Sequence, residues 1–321
     1  MRNIPKRAGA IGLDIGGTKI ATGIVLWPTG EVLHRTVNTT NPKRGGEAVL
    51  EDMLLLAANL KQKAEDEGIE IAGIGAGVAE LVDRDGNVTS SCTIDWSGRP
   101  VQKELSTIAS ARVESDVRAA ALGEAVFGAG RGSGLFLYIT VGTGISCCLM
   151  QNGQPLRGAR GNAITMASSP LSTVCTECGV RLRPVLEEFA SGPAIASRFE
   201  QAKHSGRVEN CQGVFRAASQ GDKDAIDILN SAGEALGVST AFLVNVLDPE
   251  MVIVGGGLGN AGAIYRDAFE RSCREHIFAE NSRTLPIIPA KLGTDAGLVG
   301  AAAVVLTQQE NKKLTYAHEK N

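Results

Sequence analysis

Leu13–Val25 reads LDIGGTKIATGIV, and the reading of this stretch decides the fold. An apolar strand ends in Asp14, two glycines turn the chain at Gly16 and Gly17, and a second apolar strand leaves from Ile20. Glycines let the backbone turn tightly enough for amide N–H groups to face a phosphate, and Thr18 and Lys19 add a hydroxyl and a positive charge. A plain hairpin turn would need no Asp before it and no Thr-Lys after it.

Outward from this turn, Gly9 to Asn38 predicts strand, glycine turn, strand, turn and strand, a run of hairpins rather than a βαβ crossover. Gly46 to Gly68 predicts an amphipathic helix, IAGIGAGVA a strand, DRDGN a turn, and the Ala-rich stretch from Val117 to Gly128 a second helix. Leu135 to Thr140, VGTG and Ile145 to Met150 then repeat the opening theme about 125 residues later. That repeat predicts two related halves, each presenting one phosphate-facing hairpin, the second at Gly142, Thr143 and Gly144. Helices are expected at Val185 to Gln201, Asp222 to Val246, Ala261 to His276 and from Ala296 onward, with a frayed polar tail after Gln308.

A third cluster, Gly255-Gly256-Gly257, follows the strand Met251 to Val254 and permits close approach of a flat ligand or a phosphate. Neither G-x-G-x-x-G nor G-x-x-x-x-G-K-[ST] occurs, which excludes the Rossmann and P-loop readings. At 321 residues two domains are the default, and 43% apolar with 21% charged residues is ordinary globular composition. A net charge of −3 without a dense basic run, and only 4% aromatic residues, argue against nucleic acid as a partner. The longest apolar runs fall short of the ~20 residues that span a bilayer. Met1 to Gly12 offers no secretory core, and seven irregularly spaced cysteines suit free intracellular thiols, so the compartment expected is the cytoplasm.

The three glycine clusters, in this order and spacing, resemble the phosphate and adenosine loops of the ROK family (repressors, open reading frames and sugar kinases). SDVRAAALGEAVFGAGRG, LYITVGTGI, LEEFASGPAIA, NVLDPEMVIVGGGLGNAG and LGTDAGLVGAAAVVL extend the resemblance over nearly the whole chain. It implies a two-domain, actin-like ATPase (ribonuclease-H-like) α/β fold with ATP and substrate in the interdomain cleft. The small domain would span residues 1–117, completed by a C-terminal helix at 303–318, and the large one residues 118–302. Homodimers are common in the family.

Glu114-Ser115-Asp116 is similar to the family's Glu-Asn-Asp, which implies that Asp116 is the catalytic base; an N-cap is the other role for an Asp before a helix, and the two are compatible. Asp14 would stand near Mg²⁺ and the phosphates, through water. Anchored on Arg157-Gly158-Ala159 and Glu187, the family's sugar ligands fall on Ser115, Asp116, Thr165, Ser168 and Glu187, and three of these five are shorter or uncharged here. Of the family's His/Cys zinc ligands only Cys178 remains, with Cys175 nearby and Val180 and Val185 at two Cys positions, so structural zinc is not expected. Glu80, at a position where the family usually has glycine, is either a new carboxylate near the cleft or a solvated loop residue. The expected activity is phosphorylation of a hexose, amino sugar, deoxy sugar or C7 cyclitol, with plain glucose in doubt. Two alternatives are a repressor, disfavoured because only 13 residues precede Asp14, and a non-catalytic sugar- and ATP-binding regulator.

Overall fold

The computed structural model describes residues 7–171, 173–174, 179, 181–182, 184–203, 210–259 and 263–318. In chain order its elements are β1 (Ala8–Ile15), β2 (Lys19–Trp27), β3 (Val32–Thr39), α1 (Gly46–Asp66), β4 (Glu70–Val78), α2 (Val101–Leu105), β5 (Ala111–Ser115) and α3 (Asp116–Phe127). There follow β6 (Leu135–Val141), β7 (Ile145–Gln151), β8 (Gln154–Pro155), β9 (Thr173–Val174), β10 (Arg181–Leu182), α4 (Leu186–Ala190), α5 (Gly192–Lys203), α6 (Cys211–Ser219) and α7 (Lys223–Leu247). The chain closes with β11 (Met251–Gly255), α8 (Gly256–Gly259), α9 (Ala263–His276), β12 (Ile287–Pro289) and α10 (Ala296–His318).

Two compact units emerge, one of residues 1–133, 150–163 and 291–321, the other of residues 134–149 and 164–290. In the first, a five-stranded sheet has the order β3-β2-β1-β4-β5. β2 lies antiparallel to β1 and β3, whereas β4 and β5 run parallel to β1 and to each other. Ile11, Leu13, Ile24, Ile74 and Ala76 bury completely, as strands covered on both faces require. α10 lies on β1 and β4, and Gly75 permits the approach: a Cβ there would stand 1.7 Å from the Ala301 carbonyl oxygen. The apolar side of α1 (Val49, Leu50, Met53, Ala57, Leu60, Ala64) joins the same core.

The second sheet has the order β12-β11-β6-β7-β8, with β11 parallel to both β6 and β12. Read from the other edge, this is the first sheet's order over again, β6, β7 and β8 taking the places of β1, β2 and β3, and β11 and β12 those of β4 and β5. The duplication expected from the two hairpins is therefore present in the strand order itself. α7 and α9 pack closely here, and Leu137, Ile139, Leu229, Leu236 and Val252 are buried in this unit's core.

Three features differ from the sequence expectation. The helix expected over Val185 to Gln201 breaks into α4 and α5 at Ser191, whose backbone is extended (ψ 165°). α10 runs to His318, where the C-terminal helix implied by the resemblance also ends, instead of fraying after Gln308. The short elements α2, β5, α6 and β12 lack enough residues to show a period, and the sequence reading passed over them. Among the described residues, no helix is long and apolar enough to cross a membrane.

Candidate active site

In the first unit the register of three parallel strands builds the site. Asp14 pairs with Gly77 and Gly77 with Glu114, while Ile15 pairs with Val78 and Val78 with Ser115. The carboxyl ends of β1, β4 and β5 therefore finish level, the edge at which open α/β sheets receive ligands. Asp14, Glu80 and Asp116 all stand at or just beyond this edge.

Asp116 opens α3. It is not the N-cap, which is Ser115; its carboxylate instead accepts from the Val117 amide at 2.7 Å. Burial, and then the neighbouring charge of Asp14, push its pKa from 3.8 up to about 7, against the Val117 hydrogen bond and the Arg118 cation, while Glu80 adds to the rise. Asp14 is pushed up to about 6, mainly by burial, with Lys19 opposing and Asp295 reinforcing. Its carboxylate lies against the first turn of α10, where a Cβ on Gly297 would stand 2.4 Å from Oδ2. Only glycine fits there. Ser115 is 6% exposed, and its hydroxyl has no hydrogen-bond partner among the described residues. Buried hydroxyls are normally paired, so this one is free for a ligand.

The turn from Gly16 to Lys19 is closed by Gly16 N–H donating to the Lys19 carbonyl at 3.0 Å. Thr40 clamps it, its hydroxyl donating to the Gly16 carbonyl at 2.6 Å and its amide to the Thr18 carbonyl at 3.1 Å. Thr18 and Lys19 are exposed. Glu80 is neither solvated nor offered to a ligand. It is 6% exposed, and its two oxygens accept from the Ser90 hydroxyl and from the backbone amides of Cys92, Thr93 and Ile94. The solvated-loop alternative fails because burial and hydrogen bonds hold the carboxylate under the loop it was thought to decorate.

In the second unit, Gly142 N–H donates to the Gly144 carbonyl at 2.9 Å, and the Gly142 carbonyl accepts from Gly192 N–H at 2.9 Å. Glu187 reaches this turn: Oε2 accepts from Ile145 N–H at 2.7 Å, and a Cβ on Gly144 would stand 2.6 Å from the same oxygen. Gly256 (φ 81°) turns under Val141, where a side chain would strike the backbone, while Gly257 faces open space. A Cβ on Gly142 would come within 3.8 Å of the Gly257 nitrogen, so the turn at Gly142, Thr143 and Gly144 and the turn at Gly255, Gly256 and Gly257 adjoin. Thr165 precedes and Ser168 ends a short 3-10 turn, both exposed, with the Ser168 hydroxyl donating to the Thr165 carbonyl at 3.2 Å. Ile164, just before them, holds φ at 57°. Cys175 and Cys178 lie outside the described residues. Among the described residues no group of three or more His, Cys, Asp or Glu side chains is arranged to hold a metal ion.

The sequence reading missed a buried charge network behind Asp116. Glu114 Oε1 accepts from Ser115 N–H at 3.0 Å and from Arg118 Nε at 2.5 Å, and Oε2 accepts from Arg157 Nε at 3.0 Å. The remaining Arg118 nitrogens donate to the Gly161 and Val82 carbonyls. Glu124, fully buried, accepts from the amides of Ala129, Lys291 and Leu292. Charges spaced four apart within the apolar stretch VESDVRAAALGE were the signal for the Glu114 and Arg118 pair.

A duplicated sheet with a glycine turn after the first strand of each copy, and aspartates at the carboxyl edge, is the actin-like ATPase fold. Within it, the sequence profile of the ROK family matches residues 10–308, and the chain belongs to that family. It is 31% identical to a glucokinase of Streptomyces coelicolor over 313 residues, 91% of this chain and 96% of that one. An N-acetyl-D-glucosamine kinase of Haemophilus influenzae is 26% identical, over 92% of this chain and 99% of its own. The crystal structure of a ROK family glucokinase from Streptomyces griseus, in complex with glucose and AMPPNP, superposes with a TM-score of 0.77 at 30% identity, covering 92% of this chain and 98% of that one.

Proposed function

We propose that this chain, an ATP-dependent carbohydrate kinase of the ROK family, transfers the γ-phosphoryl group of ATP to a hydroxyl of a hexose, amino sugar or C7 cyclitol, with Asp116 as general base. The observation that carries the reading is Asp116 itself, a carboxylate with its pKa near 7 at the carboxyl edge of β5, beside Asp14 and the Gly16 to Lys19 turn. Phosphoryl transfer asks the protein for positioning and for charge stabilisation, with a carboxylate to orient the acceptor hydroxyl and take its proton. A base whose pKa lies near the working pH does this with the best compromise between being ionised and being basic.

In this reading the backbone amides of Gly17 and Thr18, with Lys19, serve the phosphates in the first unit and those of Thr143 and Gly144 in the second, the amides of Gly16 and Gly142 closing their own turns, and Gly255, Gly256 and Gly257 receive the adenosine. Ser115 donates or accepts at a sugar hydroxyl, which would satisfy its unpartnered Oγ. Thr165, Ser168 and Glu187 take the remaining sugar contacts. Asp14 and Asp116 fit a divalent cation: both are hard oxygen donors whose mutual repulsion a positive charge would relieve. Mg²⁺, when bound there, supplies neutralisation of the phosphate charge. Among the described residues Cys92, Cys147, Cys211 and Cys273 are free thiols, which supports a cytoplasmic location. A homodimer completes the reading.

The test is ADP release with Mg-ATP across glucose, N-acetyl sugars, mannose, fructose, amino sugars and valiolone-type cyclitols, with Asp116→Ala alongside. We expect turnover on at least one acceptor, reduced at least ~100-fold by the substitution, as loss of a general base implies. Silence across the panel while ATP still binds would replace this reading with the non-catalytic one.

A further inference from the structure

Segment 90–96 combines two features that rarely meet. Ser91, Cys92 and Thr93 are exposed, yet the backbone beneath them is pinned from below. Glu80 Oε2 accepts from the Ser90 hydroxyl and from Cys92 N–H at 2.9 Å, and Oε1 accepts from Thr93 N–H at 2.5 Å and Ile94 N–H at 2.7 Å. Ser90 Oγ in turn accepts from Leu81 N–H at 2.8 Å, which ties the segment to the residue after Glu80. At the far end Ile94 is fully buried, and Trp96, 1% exposed, donates from Nε1 to the Gly46 carbonyl at 2.8 Å.

Burying a carboxylate is unfavourable unless its oxygens are saturated with hydrogen bonds, and here four donors saturate them. Its four donors are one hydroxyl and three successive amides, the concave backbone arrangement that suits an anion. The pinned segment leans on the phosphate turn: a Cβ on Gly17 would stand 2.6 Å from Thr93 Cγ2. Glu80 follows Val78, which pairs with both Ile15 and Ser115, so the clamp is rooted in the same strand edge as Asp14 and Asp116.

We propose that Glu80 is a positioning residue, whose buried carboxylate fixes Ser91, Cys92 and Thr93 beside the Gly16 to Lys19 turn as a preformed wall for the phosphoryl acceptor. The proposal rests on the kinase reading above for the identity of what the wall meets. The clamp itself does not. An exposed loop with satisfied backbone donors holds its side chains without losing conformational entropy when ligand arrives, so the acceptor binds more tightly than it would to a loose loop. Glu80 thus acts on the acceptor through the loop and touches neither reacting atom.

Cys92 supplies a reporter that needs no activity. Peptide-resolved alkylation of Cys92 is measured in the full chain and in Glu80→Ala and Glu80→Gln, together with the KM for whichever acceptor the parent phosphorylates and the KM for ATP. Removing the carboxylate strands three amides, so in Glu80→Ala Cys92 alkylation should accelerate at least ~10-fold and the acceptor KM should rise at least ~10-fold, with kcat falling less. Glu80→Gln keeps one acceptor oxygen and guards against a variant that fails to fold; it should lie between parent and Glu80→Ala in both readouts. Unchanged Cys92 reactivity in Glu80→Ala and Glu80→Gln would overturn the clamp. Faster alkylation with an unchanged acceptor KM would overturn the wall. A parent that phosphorylates nothing in the panel would remove the kinase reading and with it the wall, while the alkylation rates would still decide the clamp.

Discussion

Asp116 holds its proton far longer than an ordinary carboxylate, because burial and the charge of Asp14 both disfavour its ionised form. A base must be ionised to act, so kcat/KM should climb as pH rises through about 7 and fall away below it, which a pH profile would show. Stability runs the other way. The raised pKa values of Asp116 and Asp14 favour the folded chain below the unfolded value of 3.8, and that contribution is lost as pH rises through about 6 and about 7. Asp116→Asn should therefore raise Tm at pH 8 without Mg²⁺, by ~2 °C or more, while abolishing turnover. A Tm that fell instead would mean the Asp14 and Asp116 charges are not in conflict. Ile164 offers a second test. A β-branched residue at φ 57° carries strain of about 1–3 kcal/mol, so glycine there removes strain as well as packing. Chemical denaturation should find Ile164→Gly costing less than ~2 kcal/mol, whereas glycine at the fully buried strand residue Ile139 should cost at least ~3 kcal/mol.

Among elements, α10 has little tolerance at its start, since its first turn leaves no room for a side chain over Asp14. Gly297→Ala should push the Asp14 carboxylate aside. We expect kcat/KM to drop at least ~10-fold with far-UV circular dichroism unchanged, as a small misplacement at a reacting centre can cost more than that. Wild-type kinetics would mean that α10 moves away from β1 at little cost. The same elements separate what the residues announce from what they conceal. Strands ending in glycine turns and the long helices α1, α7 and α9 carry their period openly, and their bounds came within a few residues of those observed. Asp14 and the glycine turns stand out from a few adjacent positions, whereas Asp116 is singled out by the resemblance of Glu114-Ser115-Asp116 to the family's Glu-Asn-Asp. Glu80 reads from the sequence as either a carboxylate near the cleft or a solvated loop residue, and its burial removes the second. Its partners lie 10 to 14 positions away, and nothing at the residue itself tells a buried carboxylate from a solvated one. Arg157, 43 positions from Glu114, was invisible as its partner for the same reason.

For the molecule as a whole, the path of the chain matters more than any single contact. It passes between the two units four times, and the first unit borrows residues 291–321 from the far end of the chain. Leu298, Val299 and Ala301 to Val305 are all buried, mostly against β1, β4 and α3. A chain ending at Ala290 should thus lose the first unit while keeping the second, and limited proteolysis should leave a protected core drawn from residues 134–290. Protection of residues 8–133 in that truncation would show that α10 is dispensable.

The same borrowing sets a timetable during synthesis. β1 to β5 leave the ribosome long before α10 exists, and at about 5–20 residues per second the interval from Gly134 to α10 lasts on the order of 10–40 s. Throughout it the nascent sheet offers the glycine-smoothed face at Gly12 and Gly75 to whatever binds apolar surface. A chaperone that recognises unfinished sheets would meet this protein as a half-built intermediate on every round of translation.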